Sequence, residues 1–159
     1  MDMSESAAID IDQQPGHLIR RLHQIAVGVF VQEAAEQGVT PVQYGALQVV
    51  HNQPGIDQRT LARAIALDAS TTGGVVDRLE ARGWLERRMS PDDRRARLLY
   101  LTANGERGLA DTVPAMLRAQ EQILAPLTPR QRADFMRLLT QLVTQNNDLS
   151  RAPSESPMR

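Results

Sequence analysis

The 159-residue chain has the length of one ordinary domain, and its 18 basic and 19 acidic side chains give a formal net charge of −1 at pH 7. It contains no cysteine, which excludes a disulfide framework and a thiol redox switch. No stretch is apolar and long enough to predict a membrane span, and no secretory signal is evident at the N-terminus. We therefore expect a cytoplasmic protein.

Both ends of the chain are predicted to lie outside the folded domain. Residues 1–15 carry four acidic side chains and no basic partner, which predicts a mobile acidic arm. Residues 150–159 are polar and contain proline, so we expect a disordered tail. The segment 16–149 remains as a single domain.

The first predicted helix covers residues 17–37 and is unusually apolar. Leu18, Leu22 and Ile25 recur at helical spacing, and other apolar side chains widen the same surface. A helix of this kind needs burial on more than one side. In a chain with a modest core, we expect the second covering surface to belong to another protomer.

Two more helix starts share one capping pattern, a threonine followed by proline at the first helical position and glutamine at the third. The pattern opens one helix at Thr40, ending before Pro54, and the last helix at Thr128. A long helix is predicted between them, from Thr102 to about Ala125. We assign residues 102–147, together with 17–37, to dimerisation and residues 41–101 to a separate core.

The core contains two short helices in close succession. Asp57 can cap the first, whose buried stripe holds Leu61, Ala62 and Ile65. The second is capped by Asp68 and ended by Gly83, and its inner stripe is Thr72, Val75, Val76 and Leu79. Two helices joined this closely form a helix-turn-helix, whose second helix is placed to enter a DNA major groove.

The outer face of the second helix carries short hydroxyls and bare backbone. Its two interior glycines cost roughly 2 kcal/mol relative to alanine, and close approach to another surface would compensate for that loss. We predict base-edge contacts from Ser70, Thr71, Thr72 and Arg78, with Gly73 and Gly74 letting the backbone approach DNA. Gln58, Arg59 and Thr60, at the start of the preceding helix, are predicted to meet phosphates.

A β-hairpin wing is predicted after the recognition helix. Two strand-like runs, 84–89 and 97–101, flank a polar turn with adjacent arginines, the side chain suited to a narrow minor groove. Arg94 is our candidate for that groove. Arg95 and Arg97 are expected to divide between phosphate and an ion pair with Asp92, Asp93 or Glu86, and Asp93 is expected to fix the wing arginines.

These residues resemble the multiple antibiotic resistance regulator (MarR) family. The resemblance rests on three strings, 68–71 (Asp-Ala-Ser-Thr), 76–87 and 91–105, and extends over about residues 17–147. It implies a mainly α fold, a winged helix-turn-helix with N- and C-terminal dimerisation helices and a small β-hairpin wing. It also implies a homodimer that binds double-stranded DNA at a palindromic operator. Ser90 and Gly74 depart from the residues that many members carry.

The resemblance further implies a small aromatic carboxylate or phenol as effector, bound between the dimerisation helices and the winged lobe. The histidine and arginine side chains could pair a carboxylate, and apolar side chains would supply the wall. The candidate ligand-binding residues are His17, Arg20, Arg21, His23, Tyr44, Leu47, His51 and Met116. Two alternatives stay open: histidines that cap, pair with neighbours or face solvent, and a His/Glu metal site.

The leading hypothesis is a dimeric transcription repressor released from DNA by such a ligand. From Asp57 to Leu101 there are nine arginines and seven acids, a weak positive bias that suits DNA. The alternative is a winged-helix protein-interaction module without sequence-specific DNA binding. We predict no enzyme, cofactor or metal site, because no catalytic, phosphate-binding or metal-ligand motif is found.

Overall fold

The computed structural model describes residues 8–155, so the expectations for residues 1–7 and 156–159 lie outside the described residues. Within this range the chain is mainly helical, with a small sheet, and the expected fold class is confirmed. The elements in chain order are α1 (Pro15–Glu33), α2 (Pro41–Asn52), β1 (Ile56–Asp57), α3 (Gln58–Ala64), α4 (Ala69–Ala81), β2 (Leu85–Met89), β3 (Arg97–Leu101), α5 (Ala103–Leu124) and α6 (Pro129–Gln145).

The helix starts follow the local signals in the sequence. Thr40 and Thr128 each accept a hydrogen bond from the backbone N–H three residues on, and the glutamine at that position accepts one from the threonine backbone. Thr102 caps α5 through the N–H of Gly105. The end of α1 differs from the prediction, because the helix stops at Glu33 and a turn leads to Gly38, whose φ is +62°.

The wing belongs to a three-stranded antiparallel sheet of order β1-β3-β2. The hairpin strands β2 and β3 were predicted. In the structure they pair with Leu85 opposite Leu101 and Arg87 opposite Leu99. The short strand β1 was not predicted, because two residues carry too little alternation to be recognised. Its pairing of Ile56 with Leu99 joins the wing to the start of α3.

Two buried clusters hold the fold together. The larger one lies inside the winged lobe and includes Leu47, Leu61, Leu79 and Leu99, all fully buried or nearly so. The smaller one joins the C-terminal half of α1 to α5 through Phe30, Ala34, Ala115 and Ala119. Tyr44 packs against both clusters and therefore connects the lobe to the long helices.

Apolar side chains remain exposed on α1 and α6. On α1 they are Leu18, Ile19, Leu22, Ile25 and Val31, and on α6 they are Met136, Leu138, Leu139, Leu142 and Val143. Burying such side chains contributes about 25 cal/mol per Å² of apolar surface. Covering these side chains with a partner would therefore stabilise both helices.

The described parts of both termini make contacts. In the segment predicted as a mobile arm, a 3-10 turn over Ile11–Gln13 places Asp12 near His17 and Arg21. In the segment predicted as a disordered tail, Asn147 exchanges two hydrogen bonds with the backbone of Ser154. Glu155 lies 3.3 Å from Arg63 of α3. No helix within the described residues combines the length and apolarity needed to cross a membrane.

Candidate nucleic-acid interface

The recognition helix α4 begins at a well-formed cap. One carboxylate oxygen of Asp68 accepts the backbone N–H of Thr71 at 2.8 Å, and the other accepts the Thr71 hydroxyl at 2.7 Å. These hydrogen bonds, the backbone one first, hold the pKa of Asp68 below its usual value. Because the Thr71 hydroxyl donates to Asp68, its oxygen is left to accept, which suits an amino group on a base edge.

The α4 residues predicted to contact bases differ in their exposure. Ser70, Thr71 and Arg78 are exposed. Thr72, predicted to contact bases, is instead fully buried, and its hydroxyl donates to the Asp68 carbonyl at 2.8 Å. Its place in the inner stripe is thus confirmed and its role as a base reader is wrong.

The two glycines of α4 differ in their surroundings. A Cβ on Gly73 would lie 3.4 Å from the amide nitrogen of Gln58, whereas a Cβ on Gly74 would lie 3.8 Å from the end of the Arg78 side chain. Gly74 therefore has free space around it. Gly73 lies against the Gln58 side chain of α3.

The wing tip is ordered by hydrogen bonds from its backbone N–H groups to its own side chains. The Ser90 hydroxyl accepts the N–H groups of Asp92 and Asp93, both at 3.3 Å, and Asp93 accepts the N–H of Arg95 at 2.9 Å. Asp93 thus fixes an arginine through the main chain. The side chains of Arg94 and Arg95 are exposed and make no hydrogen bond or ion pair with another residue in the described range 8–155.

Arg97 does not form the expected ion pair. Its guanidinium donates to the carbonyl oxygens of Arg94 at 2.8 Å and Ala96 at 3.4 Å, and Glu86 pairs with Arg88 instead. Among the described residues, neither Arg95 nor Arg97 pairs with Asp92, Asp93 or Glu86. The expectation failed because two backbone carbonyl oxygens of the tight wing turn lie closer to Arg97 than those carboxylates do.

A groove of about 530 Å³ separates the start of α3 from the wing. The residues that line it are Asp57, Gln58, Arg59, Asp93, Arg95, Ala96 and Arg97. Gln58 and Arg59 of α3 therefore face Arg95 and Arg97 of the wing across the groove, while Thr60 and Arg94 do not line it. A strip of exposed cationic side chains beside the open end of α4 is an arrangement that suits a DNA backbone.

Arg87 supports this face from β2 and was not predicted from the sequence. Its guanidinium donates to Gln58 of α3 at 3.1 Å, to Glu80 at 3.0 Å and to Asp77 at 2.6 Å. Its side chain is only 19% exposed. Strand alternation offered a signal, because Arg87 shares a face of β2 with the buried Leu85.

The predicted ligand residues fall into two separate groups. Tyr44 packs against Phe30 with ring centroids 5.8 Å apart, and Met116 borders the same cluster. Burial raises the pKa of the Tyr44 hydroxyl. Leu47, expected as an apolar wall, lies wholly inside the lobe core and faces no opening.

The second group lies at the other end of α1. His17 is 3.5 Å from Asp12 and 3.3 Å from Arg20, which also donates to Gln24. His17, Arg20 and Arg21 precede Phe30 by 13, 10 and 9 residues, which is about 20, 15 and 13 Å along the helix at 1.5 Å per residue. Within one chain, the structure therefore does not bring His17, Arg20 and Arg21 to Tyr44.

His51 is also engaged within the chain. Its Nδ1 lies 2.7 Å from a carboxylate oxygen of Glu106 on α5. The alternative that histidines pair with neighbours thus describes both His17 and His51, while His23 is exposed. Across residues 8–155, no three His, Asp or Glu side chains are grouped so as to hold a metal ion.

The fold and this face define a class, the winged helix-turn-helix proteins with long flanking helices. A family model described as "MarR family" matches residues 37–96. A transcriptional regulatory protein named for the hcr operon of Thauera aromatica is 38% identical over 112 residues, covering 70% of this chain and 68% of the relative. The chain belongs to the MarR family of transcriptional regulators.

Two solved structures extend the likeness over most of the chain. The PcaV transcriptional regulator of Streptomyces coelicolor, in complex with its natural ligand, is 36% identical with a TM-score of 0.81, covering 87% of this chain and 97% of that one. BpsR of Bordetella bronchiseptica, whose DNA binding is regulated by 6-hydroxynicotinic acid, is 30% identical with a TM-score of 0.79. The match covers 84% of this chain and 96% of that one.

Proposed function

We propose that the chain is a homodimeric repressor that binds a palindromic operator and is released from it by a small aromatic acid. The observation that carries the proposal is the shared face formed by the start of α4, the start of α3 and the wing. On that face, exposed hydroxyls and exposed arginines surround a helix end with no large side chain. Phosphate contacts would position the lobe, and α4 would read base edges.

Each side chain has a distinct role in this proposal. Arg59 and Arg95 line the groove and meet phosphates, and Arg94 at the wing tip enters the minor groove. Ser70 and Thr71 read base edges in the major groove, and Arg78 extends that contact further along α4. Thr60 is engaged with Asp57 through its backbone and its hydroxyl, so its contribution is to hold the start of α3.

Dimerisation follows from the exposed apolar faces. Ile25 of α1 is 51% exposed and Leu142 of α6 is 54% exposed, values that are unfavourable for large aliphatic side chains repeated along one helix face. Two-fold pairing through α1, α5 and α6 would bury both faces. It would also place two lobes on half-sites about 10 base pairs apart.

The effector site is proposed to be shared between protomers. His17, Arg20 and Arg21 lie about 13 to 20 Å along α1 from Phe30, which packs against Tyr44. One chain therefore does not place the cations against the apolar wall. A second chain that packs against α1 and α5 could bring its own His17 end to the Tyr44 and Met116 region. The aromatic ligand named for BpsR supports this chemical class.

Release would occur as a population shift between lobe spacings. The effector must bind better to a dimer whose lobes do not match successive major grooves than to one whose lobes do. A tenfold loss of operator affinity requires a difference of about 1.4 kcal/mol between the two spacings. An effector with equal affinity for both would leave the DNA complex unchanged.

Selection from a pool of random duplexes tests DNA binding directly. The bound sequences are expected to converge on an inverted repeat, and affinity for that repeat is expected to fall steeply with salt because phosphate contacts release counterions. No convergence together with a flat salt response would favour the protein-interaction module.

The effector proposal is tested on the selected duplex. Millimolar 6-hydroxynicotinic acid, 4-hydroxybenzoate and related acids are added to the complex, with benzyl alcohol as the uncharged control. Release by at least one acid and not by the alcohol supports a carboxylate site. Failure of every acid in the series would remove the ligand proposal while leaving the DNA proposal intact.

A further inference from the structure

We propose that Arg87 is a positioning residue that holds the side-chain amide of Gln58 in one orientation, so that Gln58 presents only hydrogen-bond donors to DNA. The inference deepens the proposed function and rests on it. It concerns recognition of DNA. Arg87 lies behind the proposed interface, and Gln58 lies at its edge.

Arg87 connects three elements of the lobe. It is on β2, yet its guanidinium reaches two other elements, Gln58 of α3 and the pair Asp77 and Glu80 of α4. Its backbone N–H also donates to Glu80 at 3.3 Å. Two carboxylates and one amide oxygen thus surround a guanidinium that is 19% exposed, and its planar fork is held in one geometry.

The contact with Arg87 fixes the orientation of the Gln58 side-chain amide. A guanidinium has donors and no acceptor, so the Gln58 group that faces the Nε of Arg87 must be its oxygen. The amide nitrogen is thereby directed away from Arg87 and toward α4, where it would lie 3.4 Å from a Cβ on Gly73. That nitrogen makes no hydrogen bond within the described part of the chain.

This orientation of Gln58 bears on which bases it can contact. A glutamine reads adenine by donating to N7 and accepting from N6 at the same time. The Gln58 oxygen keeps a second lone pair, but Arg87 holds it on the side away from the free amide nitrogen. The amide is therefore not oriented to present both groups to one adenine. The free N–H groups can meet a phosphate oxygen or a base acceptor, and the bare surface of Gly73 gives the amide room beside the recognition helix.

A double-mutant cycle tests the coupling between the two residues. Gln58→Ala and Arg87→Lys are each expected to weaken binding to the selected duplex about tenfold, and the double variant is expected to bind no more weakly than either single variant. Lysine keeps the charge but cannot hold three acceptors in one plane. Arg88→Lys is the matched control, since Arg88 pairs with Glu86 and lies over Tyr100.

The outcomes separate this inference from the proposed function. If the wild-type chain fails to bind any selected duplex, the proposed function fails. If it binds but Gln58→Ala and Arg87→Lys lower affinity additively, Arg87 does not act through Gln58 and the inference is overturned. A Gln58→Ala variant that keeps wild-type affinity and thermal stability overturns it as well, even where Arg87→Lys does not fold.

Discussion

At the scale of single residues, Asp68 connects the stability of α4 to its reading surface. Its carboxylate holds both the backbone and the hydroxyl of Thr71, so the cap also fixes the hydroxyl that faces outward. In the proposed interface, a residue that a sequence pattern identifies only as a helix start would therefore have a second role.

Asp68 is expected to make stability depend on acidity. Its folded-state pKa is lowered by the hydrogen bonds from Thr71, so its contribution is complete above the unfolded-state value of about 3.9 and is lost as pH falls through the folded value. Asp68→Asn keeps a capping oxygen that does not titrate. Urea unfolding of the two proteins should show a gap in stability at pH 7 that narrows as the pH falls below about 3.9. A gap independent of pH would contradict this account.

Gly74 should trade helix stability against DNA binding. Gly74→Ala is expected to raise the free energy of unfolding by about 0.8–1 kcal/mol, because alanine favours the helix and the space is free. It should also weaken operator binding by roughly tenfold, as the new methyl keeps the backbone from the bases. The control is Gly45→Ala in α2, where nothing lies within 4 Å of the new methyl. Equal affinity of both variants would show that α4 does not approach DNA at Gly74.

At the scale of elements, the contact between α5 and the start of β2 fixes the lobe on the long helices. A Cβ on Gly105 would lie 1.9 Å from the carbonyl oxygen of Trp84, and one on Gly108 would lie 2.5 Å from its ring. The Trp84 ring is covered on another side by Arg82, whose guanidinium is 3.7 Å from the ring centroid. The lobe and α5 are therefore packed too closely to admit even a methyl group.

Gly105→Ala is expected to destabilise the protein by at least about 2 kcal/mol, because a backbone carbonyl, and not a movable side-chain end, occupies the space. Thermal unfolding checks this expectation, with Gly45→Ala as the control that should not lower the melting temperature. A Gly105→Ala variant as stable as the wild type would mean that α5 and β2 can separate at little cost.

The elements also show what local sequence can and cannot determine. Capping at Thr40, Thr102 and Thr128 was predictable, because cap and partner lie within three residues of each other. The role of Arg87 was not, since its partners are 7, 10 and 29 residues away and meet only in the folded lobe.

The proposed ligand site shows the same limit at longer range. Apolar and polar residue types in neighbouring helices suggested one pocket, but residue type does not report position along a helix. The length of α1 places His17 far from Tyr44, so the expected set is divided within one chain. Only the arrangement of a second chain could join its two halves.

At the scale of the whole molecule, the exposed face of α6 should control both assembly and DNA affinity. Leu142→Glu is expected to shift the protein toward monomers by placing a charge where an apolar contact forms. Sedimentation should show this shift, and operator affinity should fall at least about 100-fold because one lobe then binds alone. The matched control Gln141→Glu adds the same charge at a neighbouring exposed polar position. A dimeric Leu142→Glu variant would place the interface elsewhere.

In the proposed dimer, two α4 helices are held at a spacing that fits successive major grooves. The most direct measurement compares affinity for the selected inverted repeat with affinity for the same half-sites separated by five additional base pairs, which rotates one half-site by half a turn. We predict two chains per duplex on the original repeat and at least about 100-fold weaker binding to the lengthened one. Equal affinity for the two duplexes would contradict the account.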